Sequence, residues 1–146
     1  MLLLQVVVLS SIYFFDDAPN IARLGNPRSW YPLQVHRLGQ EIQAASTEAK
    51  VLTLTPIYPL DGGAEIYAEF ATGVFAWRTG HLLTADERQA YQVISEEELN
   101  DFIRIDPPGA ILVGLHPGQE GPLIDYAQRQ GYKESALSEV LTLWVR

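Results

Sequence analysis

The sequence predicts an α/β domain, a small two-layer or three-layer structure around a mostly parallel sheet of three to five strands. Two short apolar runs, residues 51–55 and 110–115, read as buried strands, and two helix-start signatures lie between them. A third run, residues 140–145 (VLTLWV), alternates like a strand and follows a helical pattern. Strand, helix, strand at this spacing is a βαβ unit, or an αβ unit ending in an antiparallel edge strand.

Taken in order, the first residues, MLLLQVVVLSSIYFF, admit two readings. Val6, Val7, Val8 and Ile12 are β-branched and suit a buried strand with an extension. The same run also reads as the remnant of a membrane helix, although a full span needs roughly 20 apolar residues. Gln5, Ser10 and Ser11 interrupt it and Asp16-Asp17 stop it, while the basic start and small-x-small cleavage site of a signal peptide are missing. Residues 1–17 are therefore set apart as this apolar segment, 18–29, rich in Pro, Asn, Gly and Arg, as a linker, and 30–146 as a single α/β domain.

Within that domain, Trp30-Tyr31-Pro32 leads into a helix with Val35, Leu38, Ile42 and Ala45 at helical spacing. A turn near residues 47–50 feeds the first strand. Thr84-x-x-Glu87 and Ser95-x-x-Glu98 are capping boxes, each hydroxyl accepting from a backbone N–H while the Glu reaches back. The second of these helices ends before Pro107-Pro108, and the strand at 110–115 follows. Pro122 opens a helix carrying Leu123, Ile124, Tyr126 and Ala127, which Gly131 stops.

The formal charge is −8, and Lys50 and Lys133 are the only lysines, with no basic cluster anywhere. A nucleic-acid partner is excluded on that ground, because neutralising phosphates supplies most of such affinity; so is a polybasic membrane anchor. The absence of cysteine removes disulfides, thiolate metal sites and a cysteine nucleophile. His81 and His116 find no third ligand at metal spacing, so neither a metal nor a cofactor is expected. No nucleotide-binding, hydrolase-elbow or zinc-protease motif is present.

In open α/β sheets, ligands meet the loops beyond the carboxyl ends of the strands. Here those are the loop after Thr55 and the loop after Leu115, which share an edge if their strands are parallel neighbours. The first loop opens a segment with Tyr58, Tyr67, Phe70, Phe75 and Trp77 beside Asp61, Glu65, Glu69 and Arg78. Those rings either stack on a sugar or pack as a satellite core beneath the loop. The candidate substrate-binding set is Tyr58, Asp61, Tyr67, Glu69, Trp77, Arg78 and His116. Two further readings stay open: a small hydrolase or transferase with Glu65 or Glu69 as base, Arg78 holding an anion and His116 nearby, and a protein-interaction module, since interfaces favour aromatic residues and Arg.

The motifs also carry a family resemblance. VLTL at 51–54, Pro-Ile-Tyr at 56–58, Gly-Gly-x-x-Ile-Tyr at 62–67 and Glu-Phe-Ala-Thr-Gly-x-Phe-x-Trp-Arg at 69–78 resemble the extracytoplasmic C-terminal domain of bacterial GT-C membrane glycosyltransferases. These are the protein mannosyltransferase-like and aminoarabinose-transferase-like enzymes. The resemblance spans roughly residues 30–146, and Thr72-Gly73-Val74-Phe75-Ala76-Trp77-Arg78 is its most distinctive part. It implies a non-catalytic, membrane-associated accessory domain on the extracytoplasmic side, whose catalytic acid would lie in a membrane portion not represented here. It further implies a sugar or lipid-phosphate sugar as ligand and the membrane portion of the same or a neighbouring protein as partner. A cytoplasmic soluble protein is the alternative.

Overall fold

The computed structural model describes residues 25–27, 30–46 and 49–146. The strand and membrane-helix readings of residues 1–17, and most of the linker at 18–29, lie outside the described residues. The chain divides into two compact units, Met1–Gln34 and Val35–Arg146, and the whole sheet belongs to the second.

Helix α1 (Tyr31–Ser46) buries Val35, Leu38 and Ile42, the residues its spacing marks as one face. Strand β1 (Val51–Thr53) comes next, then helix α2 (Ile57–Asp61), a 3₁₀ turn at Ala68–Phe70, helix α3 (Val74–Thr79) and a second turn at Gly80–Leu82. Helices α4 (Ala85–Tyr91) and α5 (Leu99–Ile105) lead to β2 (Ala110–Val113), helix α6 (Gly121–Arg129), β3 (Lys133–Ala136) and β4 (Thr142–Val145).

The four-stranded sheet has the order β1-β2-β4-β3. β1 and β2 are parallel, with Val51 opposite Ala110 and Thr53 opposite Leu112. β4 lies antiparallel to both β2 and β3, so β1, β2 and β3 run one way and β4 alone runs against them. The domain is thus α/β around a small sheet whose strands mostly share one direction, as the sequence predicts. β4 is antiparallel too, but it sits inside the sheet, because β3 forms the edge beyond it. Every residue of β3 (KESA) is exposed, as befits a charged strand guarding an open edge.

Alternation along the strands splits the core into two clusters and makes three layers. Val51, Ala110, Leu112 and Leu143 pack with Val35, Leu38, Ile42 and Tyr58 on the α1 side. Leu52, Leu54, Ile111, Val113 and Trp144 pack on the other side with Phe70, Trp77, Leu99, Ile103, Leu123 and Tyr126. On the α1 side the packing is backbone to backbone: a Cβ on Gly39 would collide with the Tyr58 carbonyl and the Gly62 amide.

Both capping boxes form. Glu87 N–H donates to Thr84 Oγ1 at 3.4 Å while Thr84 N–H donates to Glu87 Oε2 at 2.8 Å. At Ser95 the returning bond from its N–H to Glu98 Oε2 is 3.0 Å. Arg88 then clasps Glu98 through Nε at 2.9 Å and Nη2 at 2.6 Å, joining α4 to the start of α5. This bidentate partner, followed by the Ser95 N–H, holds the Glu98 carboxyl below the usual range.

Candidate functional site

Because β1 and β2 are parallel neighbours, the loops after Thr55 and Leu115 do leave the same edge of the sheet, the carboxyl edge. Gly73 lies against the Leu54 carbonyl at the end of β1 with φ +60°, and α3 starts there. One turn later Arg78, exposed, donates from Nη2 to Gln119 Oε1 at 3.4 Å. Arg78 thereby reaches the loop that His116 begins. His116 is half-buried, and its carbonyl accepts from the N–H groups of Gln119 (2.8 Å) and Glu120 (3.1 Å), folding that loop into a turn before α6.

The other sequence-selected residues disperse. Tyr58 is buried on the α1 side of the sheet. Asp61 lies on that side as well, where its Oδ2 accepts from His36 Nδ1 at 3.0 Å. Gln40 Nε2 meets His36 Nε2 at 3.0 Å, a network that fits an imidazole protonated at Nδ1. Tyr67 and Trp77 are buried on the opposite side, 2% and 7% exposed, and Phe70 sits between them with ring centroids 6.4 Å and 5.8 Å away. For Tyr58, Tyr67 and Trp77 the sugar-stacking reading is therefore replaced by packing, because their ring faces are occupied by the core. Phe75 alone of that aromatic run projects outward, 73% exposed.

Glu69 is half-buried on the 3₁₀ turn that follows Tyr67, near the opposite, amino edge. Its charge, like that of Glu65, acts on Lys50, whose pKa is raised first of all by the hydrogen bond to Asp106. Among the described residues no hydrogen bond or ion pair joins Glu69 to Arg78 or His116. No group of three or more possible metal-ligating side chains occurs among the described residues.

The carboxyl edge holds two residues that sequence reasoning passed over. Glu120 is 1% exposed; its Oε2 accepts from the Gly114 N–H at 2.8 Å, and its Oε1 has no partner among the described residues. Thr55 Oγ1, at the end of β1, is likewise buried without one. Buried polar atoms are almost always hydrogen-bonded, so two orphans at neighbouring strand ends mark this edge, the third among the described residues being Trp144 Nε1 on β4. The signal for Glu120 lay in HPGQEG, an acid enclosed by loop residues directly after an apolar strand, and it reads equally well as a surface turn.

The amino edge is built differently. Tyr67 OH donates to the Asp106 carbonyl at 2.6 Å, and Tyr132 OH donates to the Pro108 carbonyl. The two tyrosines thus grip from two sides the segment that enters β2. A cation lies over each ring, Lys50 Nζ at 5.3 Å from Tyr67 and Arg146 Cζ at 5.4 Å from Tyr132. Burial pushes the Tyr132 hydroxyl up to about 12 and that of Tyr67 higher still. Two clefts open near this edge, one of about 470 Å³ lined by Gln40, Gln43, Ser46 and Glu65, and one of about 320 Å³ between the ends of α5 and α6.

Compared with known proteins, the chain matches no family model, no curated protein and no solved structure. No helix among the described residues is long and apolar enough to cross a membrane.

Proposed function

We propose that this chain is a non-catalytic accessory domain of a polyprenyl-phosphate-sugar-dependent membrane glycosyltransferase, standing on the extracytoplasmic side and helping to bind or gate the acceptor or the sugar. Its partner is the membrane portion of the same or a neighbouring protein. The observation that carries this reading is the meeting of Arg78 with the 116–120 loop at the carboxyl ends of two parallel strands. That is where ligands of open α/β sheets bind, and Arg78 is the last residue of the motif on which the resemblance rests. With Tyr58, Tyr67 and Trp77 in the core, the contacts offered are polar: the Arg78 guanidinium for a phosphate, with His116 and Gln119 for hydroxyls.

Ligand-observed NMR with polyprenyl-phosphate-sugar head-group analogues tests it, with wild type run beside Arg78→Ala. Binding that Arg78→Ala weakens about tenfold or more, the usual worth of a charge-assisted contact, is the expected result. No binding, or binding indifferent to Arg78, overturns the reading. The exposure of Phe75 and Leu82, 73% and 72%, favours a second reading, a protein-interaction module using this surface. A variant Phe75→Ser that loses a partner protein while leaving sugar binding unchanged would select it.

A further inference from the structure

Helices α5 and α6 lie side by side, joined where Arg129 Nη2 donates to Asn100 Oδ1 at 2.8 Å. On the amino-edge side of this joint lies the cleft of about 320 Å³, lined by Asn100, Asp101, Arg104, Tyr126, Gln130 and Arg146, with Pro107 at its rim. Its size falls at the small end of ligand sites, suited to a single sugar ring. Two guanidiniums against a single carboxylate, Asp101, line one small space in a chain whose net charge is −8, which is an arrangement that needs a reason. Among the described residues Arg104 has only an exposed contact with Asp101, at 3.4 Å, both side chains more than three-quarters exposed, and such pairs hold little. Arg146 rests on the face of Tyr132, which is itself tied to the Pro108 carbonyl, so its position is set before any ligand arrives.

The remaining lining supplies the other half of a recognition site. The oxygen of the Asn100 amide is taken by Arg129, which fixes the group's orientation and leaves its NH₂ as donor. Gln130 adds a second amide, and Tyr126 contributes the apolar wall. Guanidiniums for an acid, amides for hydroxyls and a ring for the sugar's apolar side are the groups an acidic sugar requires.

We propose that this cleft binds a monosaccharide bearing one acidic group, phosphate or carboxylate, with Arg104 and Arg146 taking the acid and Asn100 and Gln130 the ring hydroxyls. The site lies at the edge opposite Arg78, so it stands or falls independently of the carboxyl-edge reading. Titrations of ¹⁵N-labelled protein with glucose 1-phosphate, glucuronate, glucose and inorganic phosphate test it, with Arg104→Gln, Arg146→Gln and Arg78→Gln alongside wild type. The expected result is binding of one or both acidic sugars, with amide shifts confined to residues 100–107, 126–132 and 146. Affinity should fall about tenfold or more in each of Arg104→Gln and Arg146→Gln, and stay unchanged in Arg78→Gln. Glucose 1-phosphate alone or glucuronate alone identifies which acid the site prefers. Absence of binding by either acidic sugar overturns the proposal. So does inorganic phosphate binding as tightly as the sugar phosphate, or a loss confined to Arg78→Gln, which would move the sugar to the other edge.

Discussion

The two edges of the sheet differ in how they hold their buried hydroxyl and carboxyl groups. At the amino edge each tyrosine hydroxyl has a backbone carbonyl to donate to, and each ring carries a cation on its face. At the carboxyl edge a carboxylate oxygen and a threonine hydroxyl are buried with no partner among the described residues, as is the Trp144 indole N–H within β4. Satisfied groups stabilise and fix geometry, whereas an orphaned one costs about 1–3 kcal/mol relative to a paired one. The difference teaches that position beyond a strand end does not by itself make a site. The carboxyl edge has the expected topology and few aligned side chains, while the amino edge has a rigid frame with a cleft beside it.

The sharpest way to test that contrast is to separate packing from surface within one motif. Trp77→Ala, at a ring 7% exposed and stacked near Phe70, should cost about 3–5 kcal/mol in urea unfolding. Arg78→Ala next to it should stay within about 0.5 kcal/mol, because it lies on the surface. Equal losses would mean that the motif is structural throughout.

A smaller effect is expected at the carboxyl edge. Glu120→Ala removes the acceptor of the Gly114 N–H and should cost about 1–3 kcal/mol. Glu120→Gln keeps an acceptor oxygen for that N–H and removes a buried charge, so it should be at least as stable as wild type. If Glu120→Gln is the worse of the two by chemical denaturation, the negative charge itself is held by a group at this edge, and the edge is not orphaned after all.

The smallest change probes the amino edge. Tyr132→Phe should lose about 1 kcal/mol at neutral pH, the net worth of one hydrogen bond. It should also change the alkaline limb. The Tyr132 hydroxyl is pushed up to about 12 in the folded chain, against about 10 for a free tyrosine. Its contribution is therefore fully present below pH ~10 and is lost as pH rises from there through the folded value. Stability measured from pH 9 to 12 should fall less steeply in Tyr132→Phe than in wild type, and an unchanged slope would show that burial does not hold this proton.

Much of the fold was legible because its signals are local. The capping boxes at Thr84 and Ser95, the apolar face of α1, the Pro122 helix and the strands at 51 and 110 each need only a few neighbouring residues to specify them. β3 was not legible, since KESA has no apolar face and becomes a strand only by pairing with β4. Helices α2 and α3 were hidden by Pro59 and by the glycines that flank them, which read as loop. For the site, the loops and their shared edge followed from the strands. Which rings faced inward did not, because in helices of five and six residues the burial of each ring is decided by the sheet beneath them. Glu120 and the amino-edge cleft were invisible for a related reason: Asn100, Arg104, Gln130 and Arg146 come together only through the packing of α5 beside α6.

The tyrosine grip has a consequence for how the molecule comes apart. Tyr67 belongs to the crossover that joins the two parallel strands, Tyr132 to the chain entering the antiparallel half, and both hold the same short segment before β2. The parallel and antiparallel halves therefore share one fastener. A partial opening that frees either half must release a hydroxyl from that segment, which ties the two halves into one cooperative unit. Amide exchange would register this as a single protection level across β1, β2 and β4, with only the exposed strand β3 fraying below it.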